Sequence, residues 1–403
     1  MKYDLIIVGG GAAGFFMALN VAENRPDLQI AILERGKEVL SKVRISGGGR
    51  CNVTHAEFSP KDLTSNYPRG KKELLGPFHS FMTGDTIAWF EKRDIALKTE
   101  EDGRMFPITD SSETIIDCFL NEAKRHNINV LKSHMVKNVS AKDSIWIVET
   151  NKGTFNTERL SITTGSSPKM WNILKRLGHT IVNPVPSLFT FNINDKRIAD
   201  LPGVTAEAEI KVLTTKLQSE GPVLITHWGL SGPAILKLSA WGALELAALN
   251  YNFDIAVNWL AGYTQEEVYL ELLDCKENFA KQSPYTYAQF DMAKRLWHNL
   301  LAASGIQNDL KWADVKNIQL QQLAAQLTQS NFSVKGKSTF KEEFVTAGGV
   351  DLREIDFKTF ESKMHPNLFL AGEVLNIDAI TGGFNFQNAW TGGYIAAQAI
   401  SNT

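Results

Sequence analysis

Gly9, Gly11 and Gly14 stand at G-x-G-x-x-G spacing in Gly9-Gly-Gly-Ala-Ala-Gly14, between the β-forming run Tyr3 to Val8 and the helix-forming run Phe15 to Glu23. In that context the motif holds a pyrophosphate. Gly9 permits the tight turn, Gly11 lets the backbone approach the phosphates, and Gly14 lets the helix pack close to the strand. The N–H groups at the helix start then face the anion. Glu34 stands 20 residues after Gly14, at the end of a second strand, Gln29 to Leu33. An acid there accepts a bond from a ribose 2′-hydroxyl and repels a 2′-phosphate, so the ligand is FAD or NAD rather than NADP. More than 350 residues downstream, a buried-strand run Asn367 to Ala371 leads to Gly372-Glu373, then to Thr381-Gly-Gly-Phe-Asn385 and a helix from about Phe386 to Ile400. A glycine pair opening a helix is again a site for negative charge or a carbonyl dipole. A second nucleotide element so far from the first suits the longer FAD. No second G-x-G-x-x-G marks a separate NAD(P)H domain.

Between these ends lie other residues with chemical potential. Gly47, Gly48 and Gly49 offer consecutive backbone N–H groups, a nest for a pyrophosphate or for flavin carbonyls. Arg44 and Arg50 could pair with phosphate oxygens or with a substrate carboxylate. Cys51 could relay electrons beside a flavin or be a buried structural thiol, and no partner cysteine lies near it in sequence. Asn52 could bond the flavin edge. His227, in Thr226-His-Trp-Gly-Leu-Ser-Gly-Pro233, could shuttle a proton near neutrality. His227, Arg50 and Cys51 are the candidate catalytic residues. No acid or second histidine sits at ligand spacing from His227, so no metal is expected. Glu373 is expected to face the ribitol or to orient its loop. Arg69, Lys71 and Lys72 read as a solvated polar loop, with contact to RNA phosphates as the alternative.

The elements that must position these residues alternate as in an α/β fold. Gly84 to Arg93 and Ser111 to Asn127 have helical spacing, the second capped by Asp110 or Ser111. Asn129 to Lys132, Ser144 to Glu149 and Leu160 to Thr164 read as strands, and Lys37 to Thr54 as a loop. After Pro186 the chain turns β-rich: Phe189 to Ile193, Ala206 to Leu213 and Phe253 to Trp259, with a helix near Ala234 to Ala243. It is then helical from Thr264 to Ser330, with helices at Glu266 to Leu273, Tyr287 to Ser304, from Ala313, and Leu320 to Leu327. The nucleotide-binding pattern resumes at Phe344. The organisation expected is one discontinuous domain, 1–187 with 343–403, around an insertion, 188–342, that is β-rich over 188–262 and helical over 263–342.

The net charge of −2 gives no global attraction to nucleic acid or anionic membrane. Three cysteines, odd in number and widely spaced, make neither a disulfide framework nor a redox pair and suit a reducing compartment. The first strand begins almost at once, with no basic segment before an apolar core, so a cytoplasmic protein without a signal peptide or membrane span is expected.

Ser46-Gly-Gly-Gly-Arg-Cys-Asn-Val-Thr54, Thr226 to Pro233, Thr346-Ala-Gly-Gly-Val350 and Gly372-Glu-Val with Thr381 to Gln387 resemble the BaiN-type, aminoacetone-oxidase-like family of NAD(P)/FAD-dependent oxidoreductases. The resemblance spans essentially the whole chain. It implies a glutathione-reductase-like, Rossmann-type FAD fold, with a β-barrel-like and helical insertion and no nicotinamide domain. Family members are described as amine oxidases, bile-acid-pathway reductases and reductases forming dihydrouridine in ribosomal RNA. Phe384 stands where a tyrosine is common, and Phe15-Phe16 make the first helix bulky. Motifs and resemblance together place the FAD contacts at Gly9, Gly11, Ala12, Ala13, Gly14, Glu34, Arg35, Lys42, Arg44, Ser46, Gly47, Gly48, Gly49, Arg50, Cys51, Asn52, Val136, Thr164, Gly165, Gly372, Glu373, Gly382, Gly383, Phe384 and Asn385. The expected activity is flavin-mediated hydride transfer on a small amine or an unsaturated metabolite, with NAD(P)H as an electron donor. Dihydrouridine formation in ribosomal RNA and a non-catalytic FAD-binding regulator are the alternatives.

Overall fold

The computed structural model describes residues 1–338 and 345–402. The expected return of the nucleotide-binding pattern at Phe344 and the boundary at 342–343 lie outside the described residues. The chain divides into two compact units, Met1–Val185 with Val345–Thr403, and Pro186–Phe344.

The first unit is built on a nine-stranded sheet. Its parallel centre runs, in spatial order, through Leu368–Leu370, Gly153–Ile162, β1 (Lys2–Val8), β2 (Ile30–Leu33) and Asn129–Leu131. Leu5 to Val8 and Ile30 to Leu33 are buried as continuous apolar runs, as strands covered on both faces must be. The register pairs Val8 with Leu33 and with Ile162, and Ile162 with Leu370. Four strands therefore end level. Gly9, Glu34, Thr163 and Ala371 follow along one edge, where open parallel sheets hold their ligands.

Helix α1 (Ala12–Asn24) follows β1 and is buried almost all round, from Ala13 to Ala22. It packs on the C-terminal helix Phe384–Ser401. The two approach closely because residue 393 is glycine: a Cβ there would lie 2.9 Å from the Ala13 carbonyl oxygen. Phe16 fits beneath, with ring centroids 5.5, 4.5 and 5.2 Å from those of Phe81, Trp89 and Trp390. The bulk noted at Phe15-Phe16 is thus core.

The expected loop from Lys37 to Thr54 contains a helix, α2 (Ser41–Gly49), that breaks where Ser46, Gly47 and Gly48 leave helical angles. The short strand β3 (Thr54–His55) then pairs with Arg104–Pro107, which also pairs with Leu97–Thr99. The helix expected at Ser111 runs Ser112–Arg125, with the Ser111 hydroxyl accepting from the Glu113 N–H at 3.3 Å.

The second unit holds a seven-stranded antiparallel sheet. Its spatial order is Ser330–Lys335, Asn252–Asn258, Thr205–Val212, Gln218–Ile225, Gly229–Ser231, Thr190–Asn192 and Lys337–Ser338. The two edge strands are joined through the single residue Gly336, so the sheet must curl until its edges come together, as in a barrel. The stretch from 263 to 342 departs from the all-helical expectation because Ser330–Lys335 alternates buried and exposed side chains and pairs with Asn252–Asn258. The helix expected over Tyr287 to Ser304 is confined to Lys294–Ala303, and the one expected from Ala313 is a 3-10 turn, Trp312–Asp314, ahead of Asn317–Thr328. No described helix is long and apolar enough to cross a membrane.

One buried group in the first unit should make stability depend on pH. His179 is 2% exposed, with Nδ1 2.8 Å from a Glu354 carboxylate oxygen and Nε2 3.2 Å from the Ser362 hydroxyl. Burial lowers its pKa despite the carboxylate. The folded chain keeps it neutral while the unfolded chain takes up a proton at about pH 6.5. Its contribution is then complete above that pH and is lost as pH falls, at up to about 1.4 kcal/mol per unit. The stability gap between wild type and His179→Gln, measured by urea unfolding, should narrow from pH 7.5 to pH 5.5. A constant gap would contradict this.

Candidate functional site

The site is assembled on the edge where the four strands end. Gly9 has φ +114°, and a Cβ there would lie 2.5 Å from the Thr163 carbonyl oxygen. α1 begins at Gly11 with no capping side chain and no acid in its first turn. Its first internal bond runs from the Phe15 N–H to the Gly11 carbonyl at 3.0 Å. The N–H groups of Ala12, Ala13 and Gly14 have no partner among the described residues. Space is open above Gly11, where a Cβ would meet nothing within 4 Å. This is an uncapped positive helix end with room for an anion.

Glu34 is aimed by its own backbone surroundings. Its carboxylate accepts from the Gly10 N–H at 2.9 Å and from the Gly36 N–H at 2.6 Å, one bond to each oxygen. Each oxygen keeps lone-pair capacity for a hydroxyl. Arg35 is exposed beside it, and the buried Val136 begins a strand just after His134, whose N–H bonds the Glu34 carbonyl at 2.7 Å.

Further along the edge, the Thr164 hydroxyl is buried with no partner among the described residues. A Cβ on Gly165 would stand 3.6 Å from a Glu373 carboxylate oxygen, and one on Gly372 3.4 Å from the Ala13 Cβ. Lys42 forms an ion pair with Glu373. Gly165, Gly372, Glu373 and Lys42 are therefore gathered around the start of α1.

The break in α2 exposes Gly48 and Gly49, above which a Cβ would again meet nothing within 4 Å, while Gly47 is covered by Phe106 and Asn52. The Ser46 hydroxyl donates to the Val43 carbonyl at 2.9 Å. Asn52, with its amide turned to suit its neighbours, donates to the Thr54 carbonyl and accepts from the Gly383 N–H, both at 3.0 Å. It ties the triglycine segment to the start of the C-terminal helix. That helix begins at Gly383, φ +93°, without a capping side chain and without an acid in its first turn. Asn385 clamps the preceding loop by accepting from the Ala379 N–H at 3.0 Å and donating to the Ala379 carbonyl at 3.2 Å. Phe384 is 2% exposed, and its carbonyl accepts from the Tyr67 hydroxyl at 2.5 Å.

The expected cations have partners of their own, and the reading of Arg69 needs correction. Arg44 pairs with Glu113, and Arg50 with Glu100 at 2.5 Å and Asp110 at 3.6 Å, its guanidinium 3.9 Å from the centre of the Phe106 ring. With Lys42 on Glu373, these three cations all have acidic partners. Arg69 is not solvated. It makes a bidentate ion pair with the fully buried Asp378, so it belongs neither to a polar loop nor to an RNA contact. Lys71 and Lys72 are exposed. His227 lies in the second unit, exposed at the turn between Gln218–Ile225 and Gly229–Ser231. Glu23, Glu122 and His126 come to ligand spacing in the first unit, but Arg93 is paired with both acids, which makes the group an ion network.

Cys51 is completely buried, and burial pushes its thiol up to about 12. It stays a thiol at neutral pH, and a thiol is neither the nucleophile nor the redox-active form. In the native protein Cys51 should resist a maleimide at pH 7.5 that labels it once the chain is unfolded. Cys51→Ala should keep FAD and turnover while costing about 1 kcal/mol of stability. Rapid native labelling at Cys51, mapped by mass spectrometry, would contradict this assignment.

The sequence reading did not find His55. Its Nδ1 lies 3.0 Å from the Gly382 carbonyl oxygen, and its ring stacks on Phe384 at 4.5 Å. The only signal was its place, one residue beyond the Ser46–Thr54 motif.

Comparison with known proteins accords with this geometry. The chain is 28% identical over 98% of its length to the ribosomal RNA dihydrouridine synthase of Haemophilus influenzae, and 25% identical over 98% of its length to the 3-dehydro-bile acid delta(4,6)-reductase of Clostridium scindens; each match covers 98% of the relative. Among solved structures it matches a 3-ketosteroid-delta4-(5alpha)-dehydrogenase from Rhodococcus jostii with a TM-score of 0.52 at 10% identity, covering 100% of this chain and 97% of that one. A flavocytochrome c3 fumarate reductase gives a TM-score of 0.50 at 13% identity, with 100% and 78% covered. These likenesses show a shared fold. The family model described as the HI0933-like protein Rossmann domain matches residues 3–399. That span takes in both units, so the chain belongs to the HI0933-like Rossmann-domain family and is an FAD-dependent oxidoreductase.

Proposed function

We propose that the protein reduces a carbon–carbon double bond conjugated to a carbonyl group. The observation that carries the FAD site is the uncapped start of α1, with open space above Gly11, on the strand edge beside Glu34. The N–H groups of Ala12 to Gly14 would hold the pyrophosphate and Glu34 the ribose. Gly165, Gly372 and Glu373 would line the ribitol path. Gly48, Gly49 and the N–H groups that follow Gly383 would border the flavin, with Asn52 and Asn385 fixing both segments. Bound FAD supplies hydride transfer.

The chemistry denoted by the relatives' names supports the substrate class. Forming dihydrouridine saturates the ring double bond beside a uracil carbonyl, and a delta(4,6)-reductase of a 3-oxo bile acid saturates double bonds conjugated to the ketone. A hydride added to such a conjugated bond enters the carbon remote from the carbonyl while negative charge grows toward the oxygen. A reduced nicotinamide dinucleotide would be the electron source, without a domain of its own.

A small-molecule substrate is favoured by charge. Arg44, Arg50, Arg69 and Lys42 are all paired with acids, so these four do not form a row of uncompensated cations for an RNA backbone. Ribosomal RNA is the second reading, supported by the 28% identity to two ribosomal RNA dihydrouridine synthases, from Haemophilus influenzae and Escherichia coli. The test is incubation of the FAD-loaded protein and NADPH or NADH with conjugated steroid enones and, separately, with unmodified ribosomal RNA. Saturated enone product supports the first reading. Dihydrouridine in the digested RNA supports the second. Neither product from either substrate would overturn the proposed reaction.

A further inference from the structure

The reduced flavin gains negative charge, and the residues so far placed around its expected position offer only backbone dipoles against it. The imidazole of His55 is the ionisable group built into that place. It sits at the end of β3, one residue after Thr54, whose hydroxyl donates to Gln387 of the C-terminal helix at 2.6 Å. A carbonyl oxygen only accepts, so the 3.0 Å contact with Gly382 puts a hydrogen on Nδ1 in the neutral and the charged ring alike. That leaves Nε2 as the atom that gains or loses a proton.

Two glycines make room for the ring. A Cβ on Gly382 would stand 3.2 Å from Nδ1, and a Cβ on Gly103 only 2.6 Å from Nε2. Any side chain at 103 would cover the titrating nitrogen. As built, Nε2 has no hydrogen-bond partner among the described residues, and the ring is partly exposed. Phe384 supports one face, with the planes 30° apart.

We propose that His55 takes up a proton when the bound FAD is reduced, and that the imidazolium so formed would offset the negative charge that the flavin gains. The proposal rests on the FAD placement given above. The balance is simple: a reduced nicotinamide dinucleotide delivers two electrons and a proton to FAD as hydride, and a second proton passes from solvent to Nε2. The charged groups facing the ring are Asp102, which interacts with it electrostatically, Arg104, which pairs with His55 across the strands and holds Asp102 at 2.7 Å, and Glu100, which holds Arg104 at 3.1 Å. The first turn of the C-terminal helix contributes no acid. Asp102 and Glu100 favour the imidazolium and Arg104 opposes it.

The experiment is a measurement of the reduction potential of bound FAD against pH, by equilibration with a redox dye, for wild type and His55→Asn. The shorter amide can still donate to the Gly382 carbonyl but cannot titrate. At pH 6 wild type should favour reduced over oxidised FAD by about tenfold more than His55→Asn, or about 30 mV for a two-electron couple. The difference should shrink as pH rises, and oxidised FAD should bind both proteins alike. Equal potentials throughout would overturn the proposal. His55→Gln removes the titration with a longer amide and decides the matter if the Asn variant does not fold. If both variants lose the wild-type unfolding curve, the ring is structural and the proposal falls. A wild type that binds no FAD would instead sink the underlying site assignment.

Discussion

Gly11→Asp should give a colourless protein that melts no lower than FAD-free wild type. Gly11 caps α1 with φ −98° and ψ −168°, angles open to any residue, and a side chain there would meet no neighbour. Aspartate is a better helix cap than glycine by a few tenths of a kcal/mol. Its carboxylate would take the N–H groups of the first turn and repel a pyrophosphate. Two like charges about 4 Å apart near a surface interact by roughly 4 kcal/mol, so FAD affinity should fall on the order of a thousandfold. Acid-released FAD per chain and thermal unfolding of both apoproteins check this. Retention of FAD would mean that the pyrophosphate does not lie on α1.

Asp378→Ala should be among the most destabilising single changes in the first unit. Asp378 is fully buried, and Arg69, 11% exposed along its side chain, grips both carboxylate oxygens. Removing one partner of a buried pair leaves the other charge without water, which costs about 3–5 kcal/mol and lowers the melting temperature on the order of 10 °C in a unit of this size. The effect should reach the cofactor, because Ala379, the next residue, is the one clamped by Asn385. An apolar pair, Arg69→Leu with Asp378→Leu, should recover part of the loss. Urea unfolding of the single and double variants is the check, and a single-variant loss below about 1 kcal/mol would contradict the assignment.

The dinucleotide motif was legible because local chemistry dictates it. The strand, the glycines, the helix and the acid sit within the first 34 residues, and each has a backbone reason to be there. The meeting of Gly9, Glu34, Thr163 and Ala371 on one edge depends on register between strands more than 300 residues apart in sequence, but parallel strands leave few alternatives. The partners of the arginines were not legible, because a sequence shows an arginine without its partner. Glu113, Glu100 and Asp378 lie from 50 to 309 positions away from the arginines they hold. His55 was missed for the same reason: Gly382 and Phe384 define its position, and neither is near it in the chain. The closing of the insertion's sheet was hidden in Gly336, which separates two strands at opposite edges and reads in sequence as an ordinary turn.

The most direct test of the proposed reaction is an anaerobic single turnover. FAD-loaded protein is reduced with one equivalent of dithionite, and the flavin band near 450 nm is followed after mixing with an alkene. A conjugated enone should restore the band, with about one saturated product formed per FAD, while the same skeleton with its double bond out of conjugation should not. Equal reoxidation by both alkenes, or by neither the enone nor ribosomal RNA, would contradict reduction of a carbonyl-conjugated double bond.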